Sequence, residues 1–313
     1  MKKKKIFGKT LKEQLMASRR DRLYHFSLAR GNVRAVVING TRMVNEMRWN
    51  HDLGLLETLV LGHGYLGCAL MSANLKGNDR IGLQIECSGP IKGLSVEANA
   101  FGEVRGYLKQ VPIAIDKPLE SFDLSPFFGA GFLSVTKYLE GAKQPFCGKV
   151  MMEYGRLAKD LALYHLKSEQ IPTAIDLGVS FDKLGAVSGA GAMMIQALPG
   201  AEDEVLHALE KRVYSLESMG AAVHSEDFPQ SWIKANFGAF EPKLLDQRGV
   251  EFMCHCNRDR TRTMIAMLKP EEIADMAANG PFPVEIRCHY CNTVYEFNQK
   301  ELLEIRNLRA SHN

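Results

Sequence analysis

The sequence predicts an α+β protein in three parts: an N-terminal core domain with an antiparallel sheet and packed helices, a helical linker, and a small C-terminal four-cysteine zinc domain. Three observations predict it. Apolar residues alternate over short stretches divided by turn signals, longer stretches carry helical patterns, and Cys254-His255-Cys256 is answered after 31 residues by Cys288-His289-Tyr290-Cys291. The parts are placed at 1–200, with a basic extension over 1–20; at 201–253, a conditionally exposed linker; and at 254–313.

Within the first part, Val33 to Ile38 is rich in β-branched residues and ends in Asn39-Gly40, a turn signal, so the first strand is expected there. Residues 55–75 are apolar with many small residues and read as a buried helix. Alternation then resumes at Ile81, Leu83 and Ile85, turns at Ser88-Gly89-Pro90, continues at Leu94, Val96 and Ala98, and turns at Gly102, which predicts an antiparallel meander with one buried face. Gly62-His63-Gly64-Tyr65-Leu66-Gly67 fits GxGxxG, with Glu86 downstream. A dinucleotide-binding unit needs a strand before those glycines and crossover helices after them, and here the glycines lie in a helical run followed by hairpins. Gly129-Ala130-Gly131 and Gly189-Ala190-Gly191 open two further strands, read as a faint repeat or as two glycine-bent strands of one sheet. A strand near Gly148 to Met152 and a helix over 156–166 lie between them.

From Ala201 the pattern changes. Glu202 to Leu216 is helical and starts among acids, as the helix dipole favours. Phe228, just before Pro229, and Trp232, Phe237 and Phe240, between Pro229 and Pro242, follow in a segment too thin to own a core, so they are expected either to dock on the first domain or to form a sticky surface exposed on demand. In the last part, helices are expected over 258–268 and from Pro270 to Asn279-Gly280, strands over 284–287 and 294–297, and a final helix over 299–309 with Asn298 as N-cap and Glu301 three residues on.

Composition bounds the function. With 46% hydrophobic and 24% charged residues the chain reads as an ordinary globular protein with no apolar run approaching the roughly 18 residues of a membrane span. Residues 1–30 hold ten Lys or Arg against Glu13 and Asp21, more than the whole net charge of +3, so the remainder is slightly acidic and lacks the footprint of a dedicated nucleic-acid binder. Four of seven cysteines cluster with no secretory signal before them, which points to metal in a reducing compartment. Cys68, Cys87 and Cys147 lie in apolar stretches and read as small core residues. No HExxH, GxSxG or Walker loop appears, so no enzyme is expected.

Cys254, Cys256, Cys288 and Cys291 form a complete ligand set for one zinc ion, with thiolates about 2.3 Å from the metal. His255 and His289 are expected to face solvent. The spacing alone leaves a purely structural site open. The Cys-x-Cys pair is also close enough for a strained, readily reduced local disulfide once metal is gone, so a switch is open as well. Arg258, Arg260 and Arg262 leave an alternative: a zinc ribbon that binds nucleic acid without redox control.

The cysteine pairs, taken with Leu75-Lys76-Gly77, Gly89-Pro90, Val104-Arg105-Gly106-Tyr107, the run Ser168 to Thr173, Val250-Glu251-Phe252 and Tyr295-Glu296-Phe297, resemble the 33 kDa heat-shock protein family of redox-regulated holdase chaperones. The likeness covers nearly all the chain from about residue 20. It implies a cytoplasmic, ATP-independent chaperone, zinc-bound and nearly inactive when reduced. Oxidation would pair Cys254 with Cys256 and Cys288 with Cys291, eject zinc, unfold the C-terminal part and let the protein, commonly as a homodimer, bind unfolding client proteins. Phe228, Trp232, Phe237 and Phe240 are the client-binding candidates.

Overall fold

The computed structural model describes Met1 and residues 21–115, 123–224 and 227–310. The basic extension expected over 1–20 lies, apart from Met1, outside these residues. Two compact units result, divided between Phe252 and Met253, so residues 201–252 of the expected linker belong to the first and Met253 to the second.

The first unit opens with β1 (Arg22–Leu28), β2 (Val33–Asn39), α1 (Thr41–His51) and α2 (Leu55–Met71), which a short turn extends through Asn74. Then come β3 (Arg80–Cys87), β4 (Gly93–Asn99), β5 (Glu103–Leu108), β6 (Gly131–Tyr138), β7 (Phe146–Met151), α3 (Leu157–Tyr164), β8 (Thr173–Phe181) and β9 (Val187–Ala197). The unit closes with α4 (Asp203–Tyr214), α5 (Gln230–Phe237), β10 (Lys243–Gly249) and the short β11 (Glu251–Phe252). One sheet has the order β10-β1-β2-β9-β8, a second β11-β5-β4-β3-β6-β7; every pairing is antiparallel except the parallel β11 with β5.

Helix α2 packs against strands of both sheets, which makes it the centre of the unit. Its glycines let it fit there. A Cβ on Gly62 would meet Val179 of one sheet and Val44 of α1 at 3.2 Å, one on Gly64 would meet Val96 of the other sheet at 3.2 Å, and one on Gly67 would sit 2.7 Å from Leu161 of α3. The GxGxxG pattern is thus a packing motif inside a helix with no strand leading into it. Leu55–Asn74 corrects one expectation, since this 20-residue stretch is long and apolar enough to cross a membrane; 89% of its apolar window is buried inside the fold.

Four other expectations change. The first strand is β1, not β2; its Leu23, Tyr24, Phe26 and Leu28 are buried, but the abundance of basic residues around it hid the alternation. β8, also unread in the sequence, is an edge strand of mostly half-buried residues, so neither of its faces is purely apolar. The two Gly-Ala-Gly strands, β6 and β9, belong to different sheets. Cys68 is buried, with its thiol pushed up by desolvation, whereas Cys87 is half-buried and Cys147 is exposed on β7, an edge strand.

Segment 201–253, expected to be helical, is helical through α4, the short Met219–Ala222 helix and α5, and then becomes β10 and β11. β10 reads as polar because it is an edge strand and six of its seven residues are exposed. The helices cover one face of the first sheet: Phe237 is fully buried among Tyr24, Phe26, Val37 and Met193, and Phe228, Trp232 and Phe240 pack around it half-buried. At about 1.5–3 kcal/mol for a fully buried large apolar side chain, Phe237 is a principal anchor of this layer.

The second unit contains α6 (Arg258–Ala266), α7 (Pro270–Asn279), β12 (Val284–Arg287), β13 (Val294–Phe297) and α8 (Gln299–Ala310). Its core joins Ile265, Ile273, Ala277, Tyr295, Phe297, Leu302 and Ile305. The expected N-cap of the final helix is present as a reciprocal box: Glu301 N donates to Asn298 Oδ1 at 3.0 Å and Asn298 N to Glu301 Oε2 at 2.9 Å.

Candidate metal centre

The two cysteine pairs are held by different devices. Cys256 precedes α6, whose N-cap Asn257 accepts from Arg260 N at 2.8 Å, so the helix starts immediately after the pair. Cys288 and Cys291 lie in the turn of the β12–β13 hairpin, whose last paired residues are Arg287 and Val294. Cys288 N donates to Thr293 O at 2.9 Å and Asn292 N to Cys288 O at 2.7 Å. Asn292 sits at φ +55°, a left-handed conformation that asparagine tolerates. The turn thereby brings Cys288 and Cys291 back toward the first pair.

All four sulfurs lie within 4.8 Å of one another. Cys254 Sγ is 3.8 Å from Cys288 Sγ, and Cys256 Sγ is 3.3 Å from Cys291 Sγ. Four ligands at about 2.3 Å from a tetrahedral ion stand about 3.8 Å apart, so the set fits a soft divalent ion such as zinc. Cys254 and Cys291 are buried and Cys256 and Cys288 half-buried. The sulfurs also compete for protons. Hydrogen bonds from Cys288 and Cys291 hold the Cys254 thiol far below its ordinary value, while donation to Cys254 pushes Cys288 up to about 11 and Cys291 higher still. A doubly positive ion relieves that competition by favouring all four thiolates.

His255 and His289 are exposed, and neither belongs to the sulfur cluster. Two hydroxyls that the sequence reading did not single out complete the surroundings. Tyr295 Oη donates to Cys256 Sγ at 3.1 Å, and Thr293 Oγ1 lies 3.2 Å from Cys291 Sγ. Thr293, Tyr295 and Phe297 all point inward at a spacing of two, and that alternation is the signal that places both hydroxyls on the cluster's side of the hairpin. The arginine row is engaged: Arg258 pairs with Glu301 at 2.6 Å and covers the Phe297 ring at 4.6 Å, Arg262 pairs with Glu304 at 3.7 Å, and Arg260 donates to His255 O at 2.9 Å. Two of the three positive charges of the nucleic-acid alternative are therefore matched by carboxylates.

The client-binding candidates lie in the other unit and form a continuous run of rings: Phe228 to Trp232 and Trp232 to Phe237 at 5.8 Å, and Phe237 to Phe240 at 6.4 Å.

The profile of the Hsp33 protein family matches residues 21–298. The chain belongs to the Hsp33 family. Among relatives in the Hsp33 group, the 33 kDa chaperonin of Desulforamulus reducens is 35% identical over 276 residues, covering 88% of this chain and 93% of that protein. The 33 kDa chaperonin of Lachnoclostridium phytofermentans is 33% identical and covers 91% and 98%. The crystal structure of the Hsp33 homologue of Thermotoga maritima superposes with a TM-score of 0.85 at 31% identity, covering 94% of this chain and all of that one. The α+β reading thus agrees with a solved Hsp33 structure, and family membership makes the chain a chaperone.

Proposed function

We propose that this chaperone is an ATP-independent, cytoplasmic holdase controlled by oxidation of its four clustered cysteines. The carrying observation is the cluster itself: four sulfurs within 4.8 Å, from two buried and two partly exposed cysteines, in a unit with a small core. In the reduced protein, Cys254, Cys256, Cys288 and Cys291 hold one zinc ion. Bound there, the ion keeps the sulfurs as thiolates and contributes on the order of 10–16 kcal/mol to folding. Metal binding and folding of the second unit are then one equilibrium.

A peroxide takes two electrons from each cysteine pair. One thiolate attacks the peroxide and becomes a sulfenic acid as hydroxide leaves; its neighbour then attacks that sulfur, forming the disulfide and expelling a second hydroxide. Two peroxides give two disulfides, Cys254 with Cys256 and Cys288 with Cys291. Sulfurs bonded to each other no longer serve as thiolate ligands, and the second unit loses the energy that holds it folded. Segment 201–253 is the linker that responds, with Phe228, Trp232, Phe237 and Phe240 as its client-binding face; the oxidised protein acts as a homodimer. Support comes from the run of rings, which is large, apolar and partly accessible already.

The test is light scattering from a thermally unfolding client, with this protein added either reduced and zinc-loaded or after peroxide, and with disulfides mapped by mass spectrometry. Suppression by the oxidised form alone, with the two local disulfides present, is the expected result. Equal suppression by both forms would reduce the zinc to a structural role. Suppression by neither would remove the holdase reading.

A further inference from the structure

Of the four cluster cysteines, Cys256 and Cys288 are partly exposed, while Cys254 and Cys291 retain 2% and 0% exposure. An electrophile from solvent therefore meets Cys256 and Cys288 first. The two differ in one respect. Cys256 Sγ receives the Tyr295 hydroxyl at 3.1 Å, whereas no hydroxyl reaches Cys288 Sγ among the described residues. Tyr295 is itself fixed: it is 7% exposed, lies opposite Ile286 in the hairpin, and belongs to the core formed with Ile265, Ile273 and Phe297. Its ring cannot swing away without opening that core, so the hydroxyl stays on the sulfur.

A hydrogen bond to a thiolate withdraws density from the lone pair that must attack, and it weakens as the sulfur's charge passes into a new covalent bond. The ground state is stabilised more than the transition state, and the reaction slows. We propose that Tyr295 is a positioning residue whose hydroxyl makes Cys256 the slower of the two partly exposed cysteines. This rests on the four-thiolate reading of the cluster and adds a brake, specific to the first cysteine pair, on its chemical modification. Under oxidation the same brake delays formation of the sulfenic acid at Cys256.

The experiment uses the full chain, reduced and zinc-loaded, pulsed with limiting iodoacetamide. In each modification, sulfur displaces iodide from the reagent's methylene carbon and forms a thioether. Wild type and Tyr295→Phe are compared by residue-resolved mass spectrometry, with zinc content and far-ultraviolet circular dichroism measured on the same samples. The expected result is a rise at Cys256 of about three- to tenfold, the yield of part of one charge-assisted hydrogen bond, with Cys288 unchanged. An unchanged Cys256 overturns the proposal, as does a rise shared by all four cysteines. Should Tyr295→Phe lose zinc, 3-fluorotyrosine installed at position 295 keeps the ring and strengthens the donor; Cys256 must then slow, and no change there overturns the proposal too. No client or oxidant enters this measurement, so its failure is separable from failure of the redox-chaperone reading.

Discussion

Asp21 anchors the start of β1 to the start of α1: its Oδ2 accepts from Met43 N at 2.7 Å, and burial pushes its pKa from 3.8 to about 7. Across that interval the folded chain keeps a proton that the unfolded chain has released, so stability falls as pH rises from about 3.8 to about 7 and levels off beyond. His63 and His165 act in the opposite sense. Desolvation holds both down to about 4 from an ordinary 6.5, and their contribution grows as pH rises through that window. The difference between wild type and Asp21→Asn isolates the carboxyl: urea midpoints across this range should show the wild type losing stability relative to the variant as pH rises, and parallel curves would refute the assignment. Phe237 makes the second residue-level prediction. Its ring is fully buried, so Phe237→Ala should cost about 3–5 kcal/mol, read from urea unfolding of the first unit. Tyr295 shows why single residues escaped the sequence: its ring advertises core, while the partner of its hydroxyl lies 39 residues away in the chain.

At the scale of elements, α2 is both the best-read part of the sequence and the most misleading. Its apolar run and small residues announce a buried helix, yet its glycines imitate a nucleotide fingerprint because close packing on both sheets, α1 and α3 also requires bare backbone. Gly67→Val should destabilise the protein by about 1–3 kcal/mol through overpacking against Leu161, visible as a lower melting temperature. The meander β3 to β5 was legible because one face is buried and one is wet, so polarity alternates cleanly. The second unit was legible for another reason: Pro270 starts a helix, Gly280 ends one, and Asn298 with Glu301 caps the last. β1 and β8 were hidden, one by neighbouring charge and one by its position at a sheet edge. The four clustered cysteines could be read because a metal-binding pattern fixes residue type and spacing together, whereas no such constraint marks which aromatic rings of 228–240 are buried.

For the molecule as a whole, the unequal sizes of the two cores set unequal stabilities. The first unit packs α2 between two sheets, while the second gathers a small cluster around a hairpin and three helices. Stripping metal with a chelator should therefore unfold residues 253–310 and leave the first unit folded outside the responding linker. Limited proteolysis is expected to cut within 258–310 only after chelation, while the melting transition of the first unit survives; simultaneous loss of both would contradict the division. The register of β10 adds a mechanical consequence. Among the described residues it is paired on one side only, running from Ser27 opposite Lys243 to Arg22 opposite Gly249, and its C-terminal end continues through Val250 to β11 and Met253. A pull delivered through Met253 reaches the two paired residues of β11 first and then the Gly249 end of β10, opening that ladder rung by rung. Once Arg248 lets go of Ser72 and Ala100, the first sheet can thus shed β10 while β1, β2, β9 and β8 remain joined.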